Sequence, residues 1–481
     1  MKLSTLLSGV DICRWNADPE LEITGVSYDS RNTGAGELFA AITGFAADGH
    51  RFIPMAVQKG AAAILCEREP EQEIPYVLVP DSRKALAQIS ANWFGHPADS
   101  MTMIGITGTN GKTTITYLLK HLLEQALGAK VGLVGTIQNM IGSEVLETER
   151  TTPESYELQK LFAQMRDAGC THVIMEVSSH ALVLNRADEI SFKLGVFTNL
   201  TEDHLDFHKT MEAYCDAKAM LFSRCETGVV NLDDEWEPRL MQNATCRVLS
   251  YSAKNNAADL VAKNIRLKPD RVEMEVVTGN EIGRISIGIP GGFTVYNALA
   301  AAGAGLALGI PLPKITETMR TAQGVKGRVE VVPTPGKDYT ILIDYSHTPD
   351  SLENVLKTVN GFCKGRTIAV FGCGGDRDPF KRPVMGEIAG RLADLSIVTS
   401  DNPRTEDPNA IIENIVAGMK NSPHPYEVIE NRVEAIHWAM DHARQDDVIV
   451  LCGKGHETYQ EINHVKHHLD EREVVAEYLE K

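Results

Sequence analysis

A glycine-rich loop between an apolar run and a helical pattern constrains this chain more than any other feature. The run is Met101 to Ile106, the loop is Gly108-Thr109-Asn110-Gly111-Lys112-Thr113-Thr114, and the helical pattern extends from Ile115 to Gln125. Glycines let backbone N–H groups approach phosphate oxygens, and the start of a helix adds partial positive charge. This order therefore predicts a nucleotide phosphate site in a parallel α/β sheet.

Two side chains of the loop have a defined chemistry. Lys112 is expected to reach the β- and γ-phosphates, and the Thr113 hydroxyl is expected to hold Mg²⁺. The standard pattern would place its first glycine at position 106, where this chain has Ile106, so Gly108 forms the tight turn of a variant loop. The loop alone fits a kinase, an ATPase, a ligase or a regulatory switch.

The length of 481 residues corresponds to about three domains at roughly 150 residues each. We predict boundaries at 1–97, 98–330 and 331–481. In the first segment Asp81 to Phe94 is typical of a helix, and in the second, apolar runs that end in polar clusters indicate βαβ units and a parallel sheet. In the third segment, three apolar runs are each followed by a polar loop, and these loops should line one crevice.

Composition excludes several classes of protein. Lys plus Arg is 47 and Asp plus Glu is 65, and a net charge of −18 disfavours non-specific nucleic acid binding. The longest nearly apolar stretch, Ala298 to Ile310, is shorter than the roughly 20 residues that span a bilayer. Nine cysteines without a Cys-x-x-Cys pair argue against disulfides and zinc. We therefore expect a cytoplasmic protein with no membrane partner.

Three further features lie in the second segment. Glu176 ends an apolar run, and its carboxylate would face the phosphate crevice and suit Mg²⁺, although a capping or ion-paired glutamate is the alternative. Asp203-His204-Leu205-Asp206-Phe207-His208 could bind zinc, bind magnesium or form a polar loop, and no cysteine supports zinc. Lys218 lies in a helix-like stretch, where a solvated lysine is the ordinary expectation.

Besides the phosphate loop, the chain carries several ordered motifs: Glu176-Val177-Ser178-Ser179-His180, Thr198 to His208, Tyr296 to Ala301, Gly327-Arg328, Asp344 to Pro349 and Asp401-Asn402-Pro403-Arg404. Together they resemble the motifs of the Mur ligase family, which makes amide bonds on peptidoglycan precursors. The similarity covers nearly the whole chain, and it is closest to the members that add the third residue of the stem peptide. Folylpolyglutamate synthase shares the ATP machinery but lacks a similar N-terminal segment.

The resemblance implies an α/β protein of three domains. A small N-terminal α/β domain would bind the UDP end of the substrate, a central domain with a P-loop-type parallel sheet would bind ATP, and a C-terminal Rossmann-like domain would bind an amino acid. The implied reaction uses ATP and Mg²⁺ to add meso-diaminopimelate, through an acyl phosphate, to the D-Glu γ-carboxylate of UDP-MurNAc-L-Ala-D-Glu. A monomer that closes around its substrates is expected. The alternatives are the same ligase chemistry with L-lysine, or a P-loop ATP switch without transfer chemistry.

The resemblance also assigns the catalytic and ATP-binding residues. The catalytic residues would be Lys112, Glu176, His204 and Lys218, and the metal ligands would be Thr113, Glu176, His204 and Lys218. A protonated lysine cannot bind Mg²⁺, and in this family the lysine at the position of Lys218 carries a CO₂-derived carbamate. Residues 108–114 with Asn297 and Arg328 would bind ATP. Asp344 and His347 would lie near it in undetermined roles.

The substrate-binding residues are assigned in the same way. The nucleotide-dipeptide would contact Tyr28, Ser30, Thr151, Thr152, Ser178 and Arg186. Diaminopimelate would contact Arg377, Asp401, Asn402, Pro403, Arg404, Gly453 and Glu457. The arginines can grip carboxylates and Glu457 the distal ammonium; lysine would leave Arg404 unpaired. The chain departs from the family pattern at Phe45-Ala46 and Leu184-Asn185, whose contacts stay open, and at Arg150.

Overall fold

The computed structural model describes residues 1–44, 48–148, 150–279, 281–322 and 324–480. Phe45 and Ala46, at one of the departures from the family pattern, lie outside these ranges. The chain divides into two units, one of residues 1–251 with 303–309 and the other of residues 252–302 with 310–481.

The first unit begins with a small sheet in the order β1-β5-β4-β3-β2, in which only β1 pairs antiparallel. The predicted helix at 81–94 is confirmed. Asp81 caps it by accepting hydrogen bonds from the backbone N–H groups of Arg83 and Lys84, and Gly95 ends it in the left-handed region at φ +70°. The elements are α1 Leu3–Leu6, β1 Arg14–Trp15, β2 Val26–Ser27, β3 Leu38–Ala40, a 3₁₀ helix Gly49–Phe52, α2 Ile53–Gln58, β4 Ala63–Cys66, β5 Tyr76–Leu78 and α3 Ser82–Phe94.

A larger, mainly parallel sheet follows in the same unit, with the order β13-β12-β11-β6-β10-β7-β8-β9. Its elements are a 3₁₀ helix Pro97–Ser100, β6 Thr102–Thr107, α4 Lys112–Leu127, β7 Val131–Val134, β8 Asn139–Ile141, β9 Glu144–Leu146, α5 Ser155–Asp167, β10 His172–Glu176, α6 Ser179–Val183, β11 Phe192–Phe197, α7 Leu205–His208, α8 Met211–Ala219, a 3₁₀ helix Met220–Ser223, β12 Cys225–Asn231, α9 Glu237–Leu240 and β13 Arg247–Ser252. Glu176 pairs with Ile106, and Phe197 with Thr107. The ends of β10 and β11 therefore flank the loop that follows β6.

The second unit starts with an antiparallel sheet, residues 293–302 of one helix and the whole of the next helix. The strands pair in the order β14-β15-β16. Five alanines of α10 are buried, namely Ala298, Ala300, Ala301, Ala302 and Ala304. The elements are β14 Leu260–Leu267, β15 Val272–Thr278, β16 Glu281–Ile287, α10 Phe293–Ala307 and α11 Leu312–Met319. No helix in the described ranges has the length and apolar character that crossing a bilayer requires.

The remainder of the second unit is a sheet in the order β17-β18-β22-β19-β20-β21, parallel except for β17. Its strands alternate between two apolar clusters: Phe371 faces helices α12 to α14, and Val370 faces α15 and α16. The elements are β17 Glu330–Val332, β18 Thr340–Asp344, α12 Pro349–Asn360, β19 Thr367–Phe371, α13 Lys381–Leu392, β20 Leu395–Val398, α14 Pro408–Gly418, β21 Tyr426–Val428, α15 Arg432–Asp441, β22 Val448–Cys452, β23 Tyr459–Ile462, β24 Val465–His468 and α16 Glu471–Leu479.

This arrangement confirms the predicted α/β class. Helices on both faces of a parallel sheet match the doubly wound layout expected of the C-terminal segment. The three apolar runs of that segment form the adjacent strands β22, β19 and β20, so the polar loops that follow them emerge at one edge of the sheet.

Candidate active site

The phosphate loop lies between β6 and α4, as the sequence predicts. Gly108 has φ +142°, and a Cβ atom there would lie 1.9 Å from the Thr198 hydroxyl oxygen, so a larger residue would displace that threonine. Lys112 Nζ donates hydrogen bonds to the carbonyl oxygens of Gly108 at 3.0 Å and Thr109 at 2.8 Å. The ammonium group of Lys112 therefore lies over its own loop, where it could contact a phosphate bound there.

The segment after β11 holds this loop in shape. The backbone N–H of Thr109 donates to the Asn199 carbonyl at 2.8 Å, and that of Asn110 donates to Asn199 Oδ1 at 3.0 Å. In return, the Thr198 hydroxyl donates to the Asn110 carbonyl at 2.6 Å. Sequence reasoning gave Thr198 and Asn199 no role of their own. Their position directly after an apolar run was the available signal.

Lys218 is buried beside the same loop, with only 1% of its surface exposed. Its Nζ donates to the Gly108 carbonyl at 2.8 Å and lies 4.4 Å from the centre of the Tyr214 ring. No carboxylate in the described ranges forms an ion pair with it. Burial, together with the charge of Lys112, holds the pKa of Lys218 well below its ordinary value. The expectation of a solvated helix lysine is therefore wrong, because the helix face that carries Lys218 packs inward.

Glu176 ends β10 and is also 1% exposed. Its Oε1 accepts hydrogen bonds from the Thr113 hydroxyl and the Thr136 backbone N–H, both at 3.0 Å, and its Oε2 accepts from the Thr136 hydroxyl at 3.0 Å. The oxygens of Thr113 and Glu176 are ligands that suit Mg²⁺. The structure thus brings together two of the four predicted metal ligands.

His204 has different neighbours. Its Nε2 lies 3.4 Å from Asp203 Oδ2, and its ring centre lies 4.9 Å from that of His180. A nitrogen of the buried His208 ring lies 2.8 Å from the Ser179 hydroxyl, and burial, followed by His180, lowers the pKa of His208 to about 4. Among the residues that the structure covers, no group of three or more His, Cys, Asp or Glu is arranged to hold a metal. The rings of His180, His204, His208 and Tyr214 pack against one another here.

Four of the six residues assigned to the nucleotide-dipeptide lie around Glu176. The Thr152 hydroxyl donates to the Glu176 carbonyl at 2.7 Å and accepts from the Ser178 backbone N–H at 3.1 Å. The hydroxyl oxygens of Thr151 and Thr136 lie 3.0 Å apart. Arg186 Nη1 donates to the Thr152 carbonyl at 3.2 Å. Thr151, Thr152, Ser178 and Arg186 therefore adjoin the end of the phosphate loop.

Glu154 was not singled out in the sequence. It is 7% exposed and pairs with Arg186 at 2.8 Å and with Arg83 and Arg150 at 3.2 Å each. Arg83 also donates to the carbonyl of Thr43, in the segment expected to hold the UDP end. Three guanidinium groups around one carboxylate leave a net positive charge that suits an anionic ligand. The pairs with Arg83 and Arg186 join residues far apart in the chain and have no local sequence signature, whereas Arg150 lies only four residues from Glu154.

Two predicted residues lie in the N-terminal sheet segment. The Tyr28 hydroxyl donates to Glu157 Oε2 at 2.7 Å, and burial, followed by the charge of Glu157, raises the pKa of Tyr28. Ser30 is buried, and its hydroxyl lies 3.3 Å from the sulfur of Met55. At the departure from the family pattern, Asn185 donates to Asp188 Oδ2 at 2.9 Å, and Leu184 ends helix α6.

The second unit brings together most residues assigned to the amino acid. Asn402 Nδ2 donates to Glu457 Oε2 at 2.9 Å. Gly453 has φ +115° and contacts Asp401 closely: a Cβ atom at this position would lie only 2.4 Å from Asp401 Oδ2. Arg404 Nε donates to Glu461 Oε2 at 3.0 Å. Pro403 lies in the same loop, and its carbonyl packs against Gly375.

Two more residues, Arg377 and Lys454, lie at this edge of the sheet. Arg377 is exposed, and its Nη1 donates to the Asp376 carbonyl at 3.1 Å. Lys454 is fully buried and donates to Asn402 Oδ1 at 3.1 Å and to Glu457 Oε2 at 3.3 Å. Lys454 and Glu461 were missed in the sequence, although Lys454 lies between Gly453 and Glu457.

The second unit also holds the four residues that the resemblance places at or near ATP, and their surroundings differ. Asn297 is buried in α10, and its Nδ2 has no hydrogen-bond partner within the part of the chain that the structure describes, so this donor suits a ligand acceptor. The Arg328 guanidinium lies 5.6 Å from the centre of the Tyr345 ring. Burial raises the pKa of Asp344, which accepts from the Val329 backbone N–H at 2.9 Å. His347 Nδ1 lies 2.8 Å from the Tyr345 carbonyl oxygen.

Three protein-family models match consecutive parts of the chain. They are the Mur ligase family catalytic domain at 22–94, the Mur ligase middle domain at 106–305 and the Mur ligase glutamate ligase domain at 327–455. The chain belongs to the Mur ligase family. The predicted resemblance is thereby confirmed, while the domain boundaries at 97/98 and 330/331 stay a prediction.

Curated relatives of this Mur ligase match it over nearly their whole length. One relative is UDP-N-acetylmuramoyl-L-alanyl-D-glutamate--2,6-diaminopimelate ligase of Clostridium botulinum. It is 46% identical to this chain, and the alignment covers 96% of each of the two chains. The protein of the same name in Caldanaerobacter subterraneus is 47% identical and covers 100% of this chain and 99% of its own. A solved structure of a ligase with this name is 31% identical, with a TM-score of 0.77, and covers 100% of this chain and 99% of its own.

Proposed function

We propose that this Mur ligase adds meso-diaminopimelate to the D-Glu γ-carboxylate of UDP-MurNAc-L-Ala-D-Glu in peptidoglycan precursor synthesis, with ATP as the energy source. Ligases of this family use ATP. The observation that carries the proposal is a line of hydrogen bonds from Thr113 through Glu176 and Thr136 to Thr151. It joins the phosphate loop to the side chains assigned to the acceptor substrate.

The reaction would proceed in two steps. A γ-carboxylate oxygen attacks the γ-phosphorus of ATP, and ADP leaves, which converts a poor electrophile into an acyl phosphate. The neutral amine of diaminopimelate then attacks the acyl carbon, inorganic phosphate leaves, and the new amide nitrogen loses a proton. Lys112 would offset the negative charge that gathers around the transferred phosphoryl group.

The oxygens of Thr113 and Glu176 fit Mg²⁺, and we propose that His204 and a carbamylated Lys218 complete the protein's metal ligands. When bound, Mg²⁺ neutralises phosphate charge in such sites. Carbamylation joins the neutral Lys218 amine to CO₂ with loss of a proton and produces an anion. The burial of Lys218 and its proximity to Lys112 support this proposal, because an anion there would turn a repulsion between two amines into an attraction.

Diaminopimelate would bind in the second unit. Arg404 and Arg377 would hold the carboxylate of the amino acid end that does not react, and Glu457 would pair with its ammonium group. L-lysine lacks that carboxylate and would leave the Arg404 guanidinium without its partner, which disfavours lysine strongly. Asp401, Asn402, Pro403 and Gly453 would shape the pocket around these charges.

We also propose a domain organisation and a cellular location for the enzyme. It would have three domains, at 1–97, 98–330 and 331–481, and would be a cytoplasmic monomer that has neither a membrane nor a nucleic acid partner. The net charge of −18 and the exposed and buried thiols without a disulfide support this setting.

A phosphate-release assay tests the proposed function. Purified protein with ATP and Mg²⁺ is given the UDP-linked dipeptide, meso-diaminopimelate, or both. Sustained release only with both substrates supports the ligase, and replacement by L-lysine should reduce it sharply. Equal turnover with lysine would favour the lysine-adding alternative. Phosphate release that does not depend on either the UDP-linked dipeptide or diaminopimelate would favour a P-loop switch.

A further inference from the structure

Glu461, on the hairpin of β23 and β24, is tied to Arg404 by both side chain and backbone. Arg404 Nε donates to Glu461 Oε2 at 3.0 Å, and the two side chains are only 18% and 21% exposed. The backbone N–H of Arg404 donates to the Glu461 carbonyl at 3.0 Å, and that of Asn463 donates to the Arg404 carbonyl at 2.8 Å. The hairpin therefore holds both the backbone and the guanidinium group of Arg404.

The rest of the Arg404 guanidinium has one protein partner. Its Nη1 donates to the Gly375 carbonyl at 2.8 Å, while Nη2 has no hydrogen-bond partner among the described residues. At Gly374 a Cβ atom would lie 2.9 Å from Nη1, so the guanidinium contacts this glycine closely. With Nε held by Glu461 and Nη1 by Gly375, the Nη2 amino group is left for a ligand carboxylate.

Glu461 also contacts a second residue of the same loop. Its backbone N–H donates to Asn402 Oδ1 at 2.9 Å, and Asn402 Nδ2 donates to Glu457 Oε2 at 2.9 Å. One residue thus orients Arg404 through its carboxylate and Asn402 through its backbone. These two contacts link the group that would bind a carboxylate to the group that would bind an ammonium.

We propose that Glu461 is a positioning residue that turns the Arg404 guanidinium toward the second carboxylate of diaminopimelate and so sets the affinity for this amino acid. This inference rests on the proposed function. It assigns no contact between Glu461 and the substrate, because its carboxylate is already occupied by Arg404.

The test compares Glu461→Ala, which removes the hydrogen bond and the charge, with Glu461→Gln, which keeps an acceptor oxygen. We expect the alanine variant to raise the KM for meso-diaminopimelate about tenfold, the size expected for losing one charge-assisted hydrogen bond. The glutamine variant should raise it less, and kcat and the KM for ATP should change by less than about twofold. Glu473→Gln, in an exposed pair with His468, is the matched control and should leave the KM unchanged.

Repeating the change in an Arg404→Ala background separates positioning from other roles. If Glu461 acts through Arg404, Glu461→Ala adds no further increase in KM there. An equal increase in both backgrounds, an unchanged KM, or a lower thermal midpoint without a KM change would overturn the inference. If the wild-type enzyme releases no phosphate with diaminopimelate, the proposed function fails and this inference with it. Wild-type turnover with an unaltered KM in Glu461→Ala overturns the inference alone.

Discussion

Lys112 and Lys218 donate hydrogen bonds to the same acceptor, the carbonyl oxygen of Gly108, at 3.0 and 2.8 Å. Two amines that share one oxygen cannot both be protonated without strong repulsion in a buried setting. The lowered pKa of Lys218 reduces that repulsion, since burial and the charge of Lys112 both disfavour its protonated form. A neutral, buried amine is also the form that reacts with CO₂.

We expect Lys218→Ala to lower ligase activity at least about 100-fold, as losing a preorganised charge beside a reacting phosphoryl group typically does. The wild-type protein in ¹³C-bicarbonate should show a carbamate carbon signal that the variant lacks. Lys160→Ala, at an exposed lysine in helix α5 of the same unit, is the control. Full activity of Lys218→Ala without added bicarbonate or chloride would refute the carbamate.

A second prediction concerns Glu176. Glu176→Gln keeps an oxygen acceptor for Thr113 but removes the negative charge, so the Mg²⁺ concentration for half-maximal activity should rise at least about tenfold. Activity measured across a magnesium titration checks this. Glu226→Gln makes the same chemical change in an exposed pair with Lys193 and should behave as wild type. An unshifted magnesium dependence in Glu176→Gln would remove Glu176 from the proposed ligands.

The glycine at position 108 provides a steric test. Gly108→Ala would put a methyl group 1.9 Å from the Thr198 hydroxyl oxygen, so the loop must distort. We expect the KM for ATP to rise at least about tenfold, as the displaced loop loses phosphate contacts. At Gly128, with φ +64°, an added Cβ meets no atom within 4 Å, so Gly128→Ala introduces only backbone strain. Equal ATP affinity in both variants would contradict the assigned loop geometry.

The local patterns of the sequence were enough to predict the phosphate loop, the helix after Asp81 and the three strand-end loops of the second unit. These features depend on contacts between near neighbours along the chain. The burial of Lys218 depends on packing against Tyr214 and Gly108, and the Arg404–Glu461 pair joins residues 57 positions apart, so neither could be predicted from local pattern. The motif at 203–208 was ambiguous because its histidines resemble ligands, although His208 packs as a neutral ring.

Asp447 makes the stability of the protein depend on pH. Burial opposes its ionisation, but hydrogen bonds from Arg366 and Arg444 outweigh burial and hold the pKa of its carboxyl below the ordinary value. Its folded pKa is depressed, so this contribution is present above about pH 4 and is lost as pH falls through the lower folded value.

We therefore expect Asp447→Asn to lower the free energy of unfolding by about 2 kcal/mol at pH 7, because the partly exposed Arg366 guanidinium loses the charge of the buried carboxylate that it pairs with. The difference from wild type should shrink below about pH 4, where the aspartate becomes protonated. Urea unfolding at pH 7 and pH 3 measures both values. Asp216→Asn, in an exposed pair with Arg239, should change stability little at either pH. A constant difference across pH would contradict the assigned charge interaction.

The transfer of an oxygen atom tests the central claim most directly. UDP-MurNAc-L-Ala-D-Glu labelled with ¹⁸O in its γ-carboxylate is turned over with ATP and meso-diaminopimelate, and the released phosphate is analysed by mass spectrometry. Attack of the carboxylate on ATP predicts one ¹⁸O atom in each phosphate formed, in step with the tripeptide product. Phosphate that carries no ¹⁸O, or that forms without the tripeptide product, would contradict the proposed ligase.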